Sequence, residues 1–350
     1  MSTYIVTGGA GFIGSAFVRK ALNFNDKVIV LDALTYSGYR QNLIEVEHRL
    51  GFEFVEGNIK DTALMASLLS KFQPDAIINF AAESHVDRSI ESSKEFVSTN
   101  IVGTNILLQT ALNYWQKIPL EKQRCFRFLQ VSTDEVYGSL RSGEANEQSP
   151  SNPRSPYAAS KASADMLTRS YFFTHKLPTL ITLGCNTYGP RQFPEKFIPL
   201  IILRALSGMS LPVYGDGTNI REWIHVDDHA EAIHQVLKNA IPGDSYNLGS
   251  GYRIPNLEVV RALCLAIGEL APASPSYDSL IEYVTDRPGH DYRYAMDASK
   301  IEKELGWRAN IKFGQGLVST VRWYLENQEW WKPITAGQYG LNRIGLGNGS

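Results

Sequence analysis

Tyr157 and Lys161 stand four residues apart behind Ser155-Pro156. Serine at an N-cap with proline at the first helical position predicts a helix start there. Residues i and i+4 then stack on one face. An ammonium beside a phenol favours the phenolate, so the pair predicts a tyrosine whose pKa is lowered from its usual ~10. Such a tyrosine takes a proton from an alcohol while the carbinol carbon gives up hydride. Alone, Y-x-x-x-K describes many exposed helix faces, and its meaning depends on context.

That context lies upstream. Thr7-Gly8-Gly9-Ala10-Gly11-Phe12-Ile13-Gly14 follows an apolar run and precedes a helical pattern. Gly8, Gly11 and Gly14 allow a tight turn, close approach to a pyrophosphate and close helix–strand packing, with free N–H groups facing the phosphates. Asp32 ends the next strand-like run 18 residues after Gly14. A carboxylate there accepts hydrogen bonds from a ribose diol and repels a 2′-phosphate, so the expected cofactor is NAD. A third group, Thr133-Asp134-Glu135, closes the apolar run Phe126–Ser132. Hydride transfer alone needs one acid/base. Adjacent carboxylates suit a reaction needing a separate acid and base, because different surroundings can hold one protonated and the other ionised. Neighbours on a continuing strand point to opposite faces, so both reach one substrate only if the chain turns at once; Tyr137-Gly138 is consistent with that.

These residues require a scaffold of alternating strands and helices. Strand-like runs at Tyr4–Thr7, Lys27–Asp32, Glu53–Glu56, Ala76–Phe80, Phe126–Ser132 and Thr179–Leu183 are mostly apolar throughout, as in parallel strands buried on both faces. Helical segments at Gly11–Asn23, Asp61–Lys71, Glu95–Tyr114 and Pro156–His175 lie between them. The expected fold class is α/β, a Rossmann-type doubly wound parallel sheet with a smaller, loop-rich α/β substrate lobe. The boundaries read as 1–185 plus 222–245 for the NAD-binding domain and 186–221 plus 246–335 for the second lobe, with a flexible, glycine-rich tail over 336–350.

Length and composition fit this. At 350 residues the chain exceeds a single core, and 43% apolar with 20% charged residues excludes wholesale disorder. A net charge of −2 supplies no polycationic field for nucleic acid or an anionic membrane. No apolar run approaches a membrane span, no signal peptide is legible, and Cys125, Cys185 and Cys264 lie far apart without a C-x-x-C. A cytoplasmic location is expected. His225-Val-Asp-Asp-His229 resembles a metal cluster, but no ligand set is complete and Asp228 reads as a helix cap, so no metal is expected. There is no G-x-S-x-G or Walker sequence.

The combination of Val131–Gly138, Tyr157/Lys161 and the glycine trio resembles the nucleotide-sugar 4,6-dehydratases, a branch of the extended short-chain dehydrogenase/reductases. The likeness extends through Phe80–Ile90, Asn186–Pro190, Pro194–Lys196, Tyr214–Gly217, Arg221–Asp228, Asp286–Asp291 and Asp297–Ile301. The Thr-Asp-Glu triplet discriminates, because similar sugar epimerases usually lack the acid pair. The resemblance implies dTDP-glucose as substrate and a redox-neutral dehydration with tightly bound NAD regenerated each turnover. Thr133, Asp134, Glu135, Tyr157 and Lys161 would be catalytic. Gly8, Gly11, Phe12, Ile13, Gly14, Asp32, Asn58, Ile59, Ala81, Tyr157 and Lys161 would hold NAD. Ser84, Thr133, Asn186, Glu195, Lys196, Arg221, Asn256, Arg287, His290 and Tyr294 would hold substrate; for Arg221, a guanidinium also forks naturally onto phosphate oxygens.

The family further implies a homodimer through helices near Asn100–Tyr114 and Ser160–His175, to which Ile101, Ile106, Leu107 and Leu108 would offer apolar surface unless they face the chain's own sheet. Asn58, Leu183-Gly184, Thr187 and Arg191 depart from the family pattern and leave nucleotide-base preference open. Other readings are a UDP-sugar 4,6-dehydratase, epimerase or decarboxylase, or a non-catalytic NAD-sensing protein. A sensor has no need of all five catalytic residues.

Overall fold

The computed structural model describes residues 1–341. Twelve strands are described: β1 (Thr3–Thr7), β2 (Lys27–Asp32), β3 (Phe52–Glu56), β4 (Ala76–Asn79), β5 (Arg127–Thr133), β6 (Thr179–Gly184), β7 (Asn186–Tyr188), β8 (Leu211–Tyr214), β9 (Ile220–His225), β10 (Ser245–Leu248), β11 (Arg253–Pro255) and β12 (Ile281–Val284). Seven of them form a parallel sheet in the order β10-β6-β5-β4-β1-β2-β3. The chain reverses direction across the sheet between β1 and β4, and a crevice opens there beyond the strand ends, where ligands bind in open α/β sheets. Three-stranded (β11-β9-β7) and two-stranded (β12-β8) sheets build the smaller lobe.

Alternate residues of each central strand enter different cores. Tyr4 and Val6 of β1 pack with Val28 and Val30 beneath the helices Phe12–Asn23 and Val226–Asn239. Ile5, Ile29, Leu31, Ile77 and Phe128 face the opposite side, against Leu107, Leu108 and Tyr171. A separate cluster around Tyr188, Ile201, Leu263 and Tyr324 fills the second lobe. Leu107 and Leu108 are fully buried against the chain's own sheet, so they offer no surface to a second subunit.

Three boundaries differ from those read in the sequence. Ser245–Leu248 is the seventh strand of the large sheet, paired with β6, so that domain extends past 245. Four residues with one tyrosine and one leucine are too short to show a strand period. Ile220–His225 pairs with β7 and β11, which places residues 222–225 in the smaller sheets. The expected flexible tail begins too early: Ile334–Gln338 is a π-helical turn, and Tyr339 and Leu341 are buried in the second core. Residues 342–350 lie outside the described residues. The segment Glu95–Tyr114 also contains a π-helical stretch, Val97–Gly103, a feature often found at functional sites. Among the described residues no helix is long and apolar enough to cross a membrane.

Candidate active site

The crevice is a cavity of about 320 Å³ lined at one end by Gly8, Gly11, Phe12, Ile13, Gly14, Asp32, Asn58, Ile59 and Ala81, and at the other by Thr133, Asp134, Glu135, Tyr157 and Lys161. Every catalytic and cofactor residue expected from the sequence lines it. Buried side chains lock the strand ends: Thr7 donates to Asn79 at 2.7 Å, and Asn79 donates to Gln130 at 2.8 Å.

The glycine turn has the shape a pyrophosphate requires. Gly8 sits at φ +67°, and a Cβ there would lie 2.6 Å from the Ala81 nitrogen; a Cβ on Gly14 would lie 2.3 Å from the Gly8 carbonyl oxygen. Backbone therefore approaches backbone with no room for a side chain. Asp32 is nearly buried, and its two carboxylate oxygens accept the Ala10 and Leu34 N–H groups, each at 2.9 Å. Lone pairs remain for a ribose diol. The Asn58 amide oxygen accepts the Lys60 N–H at 2.9 Å. These residues fit NAD. Gly14→Ala is expected to weaken NAD binding at least tenfold in calorimetric titration, about 1.4 kcal/mol or more. An unchanged affinity would show that the turn does not carry the cofactor.

At the reacting end, β5 stops at Thr133 and a 3₁₀ turn, Asp134–Tyr137, follows at once. Thr133 Oγ1 caps that turn, accepting the Glu135 N–H and donating to Asp134 Oδ1, both at 3.3 Å. The immediate turn brings both carboxylates to one cavity. Their surroundings differ. Asp134 is raised well above the usual carboxylate range by burial, with Glu135 and Glu222 as negative neighbours, and its Oδ2 is buried without a partner. Glu135 is raised by burial too, but the positive charges of Arg287, Arg221 and Lys196 oppose the shift.

The Tyr157–Lys161 pair departs from expectation. Burial, then the Glu135 and Asp134 charges, push the Tyr157 phenol up, not down. Lys161 Nζ donates to the Val131 carbonyl at 2.7 Å, and burial pushes its pKa down to about 8 against the opposing Asp165 charge. Sequence spacing predicts the two on one helix face, whereas burial is the largest cause of both shifts.

Of the expected substrate residues, Ser84, Thr133, Asn186 and Lys196 line the cavity, and Lys196 Nζ donates to the Ser84 carbonyl at 2.9 Å. Glu195, Arg221, Asn256, Arg287, His290 and Tyr294 do not line it. Glu195, Arg221, Arg287, His290 and Tyr294 turn side-chain polar groups on protein partners. Glu195 pairs with Arg88 at 3.1 Å, Arg287 with Asp87 at 3.0 Å and His290 with Asp286 at 2.6 Å. Arg221 donates to the Ile220 and Asp291 carbonyls, each at 2.8 Å, and lies 4.4 Å above the Tyr294 ring. Tyr294 donates to Asp291, and the Asn256 N–H donates to the Asn219 carbonyl.

The structure adds cavity residues to which the sequence reading gave no role in cofactor or substrate binding. Thr99 comes from the π-helical stretch, and Glu83, Gln192 and His229 also line the cavity. Asn100 in the same stretch holds the Glu83 carbonyl at 3.0 Å and Ser160 at 2.8 Å, tying that loop to the catalytic helix. In His225–His229 the polar groups are directed to different places. His225, not Asp228, caps the helix, accepting the Asp227 N–H at 3.3 Å. Asp228 accepts the N–H groups of Asn310 and Ile311. Among the described residues no group of three or more His, Cys, Asp or Glu is placed to hold a metal ion.

Comparison with known proteins identifies the family of the chain. A family model described as GDP-mannose 4,6 dehydratase matches residues 5–320. The dTDP-glucose 4,6-dehydratase of Xanthomonas campestris pv. campestris is 50% identical over 348 residues, covering 99% of each chain. That of Escherichia coli is 46% identical over 357 residues, covering 98% of this chain and 99% of its own. The crystal structure of a Streptomyces venezuelae dTDP-glucose 4,6-dehydratase with NAD and TYD bound has a TM-score of 0.88 at 47% identity, covering 95% of this chain and 99% of that one. A UDP-glucose 4-epimerase of Thermotoga maritima shares the fold at a TM-score of 0.83 but at only 27% sequence identity, covering 93% of this chain and 99% of that one. Glycine turn, acid pair and whole-chain likeness agree, and the chain belongs to the dTDP-glucose 4,6-dehydratase family.

Proposed function

We propose that this chain dehydrates dTDP-glucose to dTDP-4-keto-6-deoxyglucose with Thr133, Asp134, Glu135, Tyr157 and Lys161 as its catalytic residues. The observation that carries the reading is the adjacent pair Asp134 and Glu135, set in unlike surroundings within one cavity that also holds Tyr157, Lys161 and the glycine turn.

Thr133 holds the glucose 4-hydroxyl, and Tyr157 takes its proton as the phenolate, the form that the positive charges of Lys161 and of bound oxidised nicotinamide would favour against the upward push of burial. The chemistry supplied by bound NAD is storage of one hydride, taken from C4 and returned at C6. A C4 ketone acidifies the C5 proton, which Glu135 removes. Asp134, kept protonated by burial and two negative neighbours, gives its proton to the C6 hydroxyl, which leaves as water. Glu135 returns a proton to C5, the proton taken by Tyr157 passes to solvent while Asp134 is reprotonated from solvent, and the sum is loss of one water with no net redox change. Lys161 orients the strand end through Val131 and supplies positive charge near the phenol. Arg221, Arg287 and Lys196 would take the diphosphate side of the substrate by exchanging protein partners for phosphate oxygens.

The test is anaerobic incubation with dTDP-glucose, with UDP-glucose in parallel, and mass spectrometry of the products. Loss of one water from the dTDP sugar without accumulated NADH is expected. Loss only from UDP-glucose would move the base preference. An unchanged mass with a new sugar isomer would make the chain an epimerase and remove the role given to Glu135.

The partner reading extends to a homodimer. Val97 and Val102 on the π-helical stretch, and Met166 and Phe173 on the Pro156–His175 helix, are exposed apolar side chains on two segments that pack together. Their burial across a two-fold axis would account for them. The double substitution Met166→Asp and Phe173→Asp is expected to give monomers in analytical ultracentrifugation. A wild-type chain that sediments as a monomer would remove the dimer.

A further inference from the structure

His229 comes from the Val226–Asn239 helix and is completely buried, yet its ring forms part of the cavity wall beside Gly184 and Cys185. Two positions that depart from the family pattern, Gly184 and Thr187, bear on it. A Cβ on Gly184 would stand 2.4 Å from His229 Cε1 and 2.7 Å from Nε2, so only glycine admits the imidazole in this place. Thr187 Oγ1 lies 2.8 Å from His229 Nδ1 and 3.2 Å from the Cys185 carbonyl oxygen. A hydroxyl has one proton. Both contacts are hydrogen bonds only if Thr187 donates to the carbonyl and accepts from Nδ1–H. Burial holds the ring neutral, with its pKa pushed down to about 4. The remaining nitrogen, Nε2, is then a bare acceptor, and it is buried with no hydrogen-bond partner.

A buried, unpaired acceptor is costly unless a ligand supplies the donor. The position indicates which ligand group that is. Gly184 pairs with Thr133 in the β5–β6 register, so His229 stands at the reacting end of the cavity, away from Asp32 and Asn58. The cofactor half at that end is the nicotinamide, whose carboxamide carries N–H donors on the ring that exchanges hydride. Resting on the NAD-dependent reading above, we propose that His229 Nε2 accepts a hydrogen bond from the nicotinamide carboxamide, with Gly184 making the room and Thr187 fixing the tautomer. His229 is thus a cofactor-binding and orienting contact, and Gly184 and Thr187 are positioning residues for it.

The probe is a pair of cofactors. In 3-acetylpyridine adenine dinucleotide a methyl group replaces the amide nitrogen, so shape and carbonyl remain and the N–H donors are lost. The wild-type protein, stripped of nucleotide, is expected to bind NAD about tenfold more tightly than this analogue, the effect of one good hydrogen bond. In His229→Leu and in Gly184→Ala, which displaces the ring, that preference is expected to collapse to about onefold. Nitrogen-15 NMR of labelled wild-type histidines reads the tautomer directly, and NAD is expected to shift the bare Nε2 signal to the hydrogen-bonded position. Equal affinity of the wild-type protein for the two cofactors, a proton found on Nε2, or a variant that loses both affinities equally would overturn the assignment. The wild-type comparison and the NMR signal stand even where a variant fails to fold. Absence of any NAD binding would instead overturn the function itself.

Discussion

Glu135→Gln is expected to cut the rate of water loss by about 10²–10⁴-fold, the usual effect of removing a general base. Oxidation at C4 should survive, because Tyr157 and Thr133 are untouched. Mixing the variant with dTDP-glucose should therefore produce the absorbance of reduced nicotinamide without a dehydrated product. Exchange of the C5 proton with deuterated solvent should be lost. Glutamine matches the shape of glutamate, so the cavity is preserved and the charge alone is removed. The pH profile carries the same argument. Glu135 acts ionised, and burial raises its pKa, so activity falls as pH drops through that raised value. Asp134 acts protonated with a pKa raised further, so activity also falls once pH climbs through it. A bell shape follows, and the acid limb should disappear in Glu135→Gln. Undiminished water loss in that variant would assign the C5 proton to another base.

Tyr157→Phe is expected to be at least as damaging, about 10²–10⁴-fold in turnover, and to fail one step earlier. Neither reduced nicotinamide nor C5 exchange should be seen, since both require the C4 ketone. The contrast with Glu135→Gln separates the two roles by intermediate as well as by rate. The buried phenol is held in place by an edge-on contact with Phe96, ring centroids 6.3 Å apart, so the phenylalanine variant should keep the packing. Lys161 adds a further limit. With its pKa pushed down to about 8, its positive charge is present below that pH and is lost as pH rises through it, well before an ordinary lysine would titrate. Whatever part of turnover depends on that charge declines over the same interval. Accumulation of reduced nicotinamide by Tyr157→Phe at the wild-type rate would show that another group takes the hydroxyl proton.

Much of the site was legible in the chain because its signals are local. The Gly8–Gly14 turn joins one strand to one helix, Asp32 ends the neighbouring strand, and Tyr157 and Lys161 share a helix whose start is marked by Ser155-Pro156. That helix spans Pro156–His175, as the spacing predicts. The parallel strands were readable because burial on both faces makes them apolar throughout. Residues outside such patterns were not. His229 reads as part of a helix start, and Thr99 as an ordinary helical threonine; their place in the cavity wall depends on partners dozens of residues distant. Ser245–Leu248 is a strand because β6 leaves an open edge beside it, which no four-residue window can report.

What the sequence determined by itself was the chemistry present and the periodicity of the elements that carry it: a dinucleotide turn, an acid pair, a Tyr–Lys helix face and a parallel α/β scaffold. Both are set by residue type and short-range spacing. The tertiary structure alone decided the electrostatic state of those groups. Spacing suggested that Lys161 would lower the Tyr157 pKa, whereas burial and two carboxylates raise it. Asp134 and Glu135 are adjacent acids in sequence and share Arg221, but Glu222 stands near the first and Arg287 and Lys196 near the second. A pKa is fixed by desolvation and by charges within a few ångströms, and those neighbours are gathered by folding from distant parts of the chain.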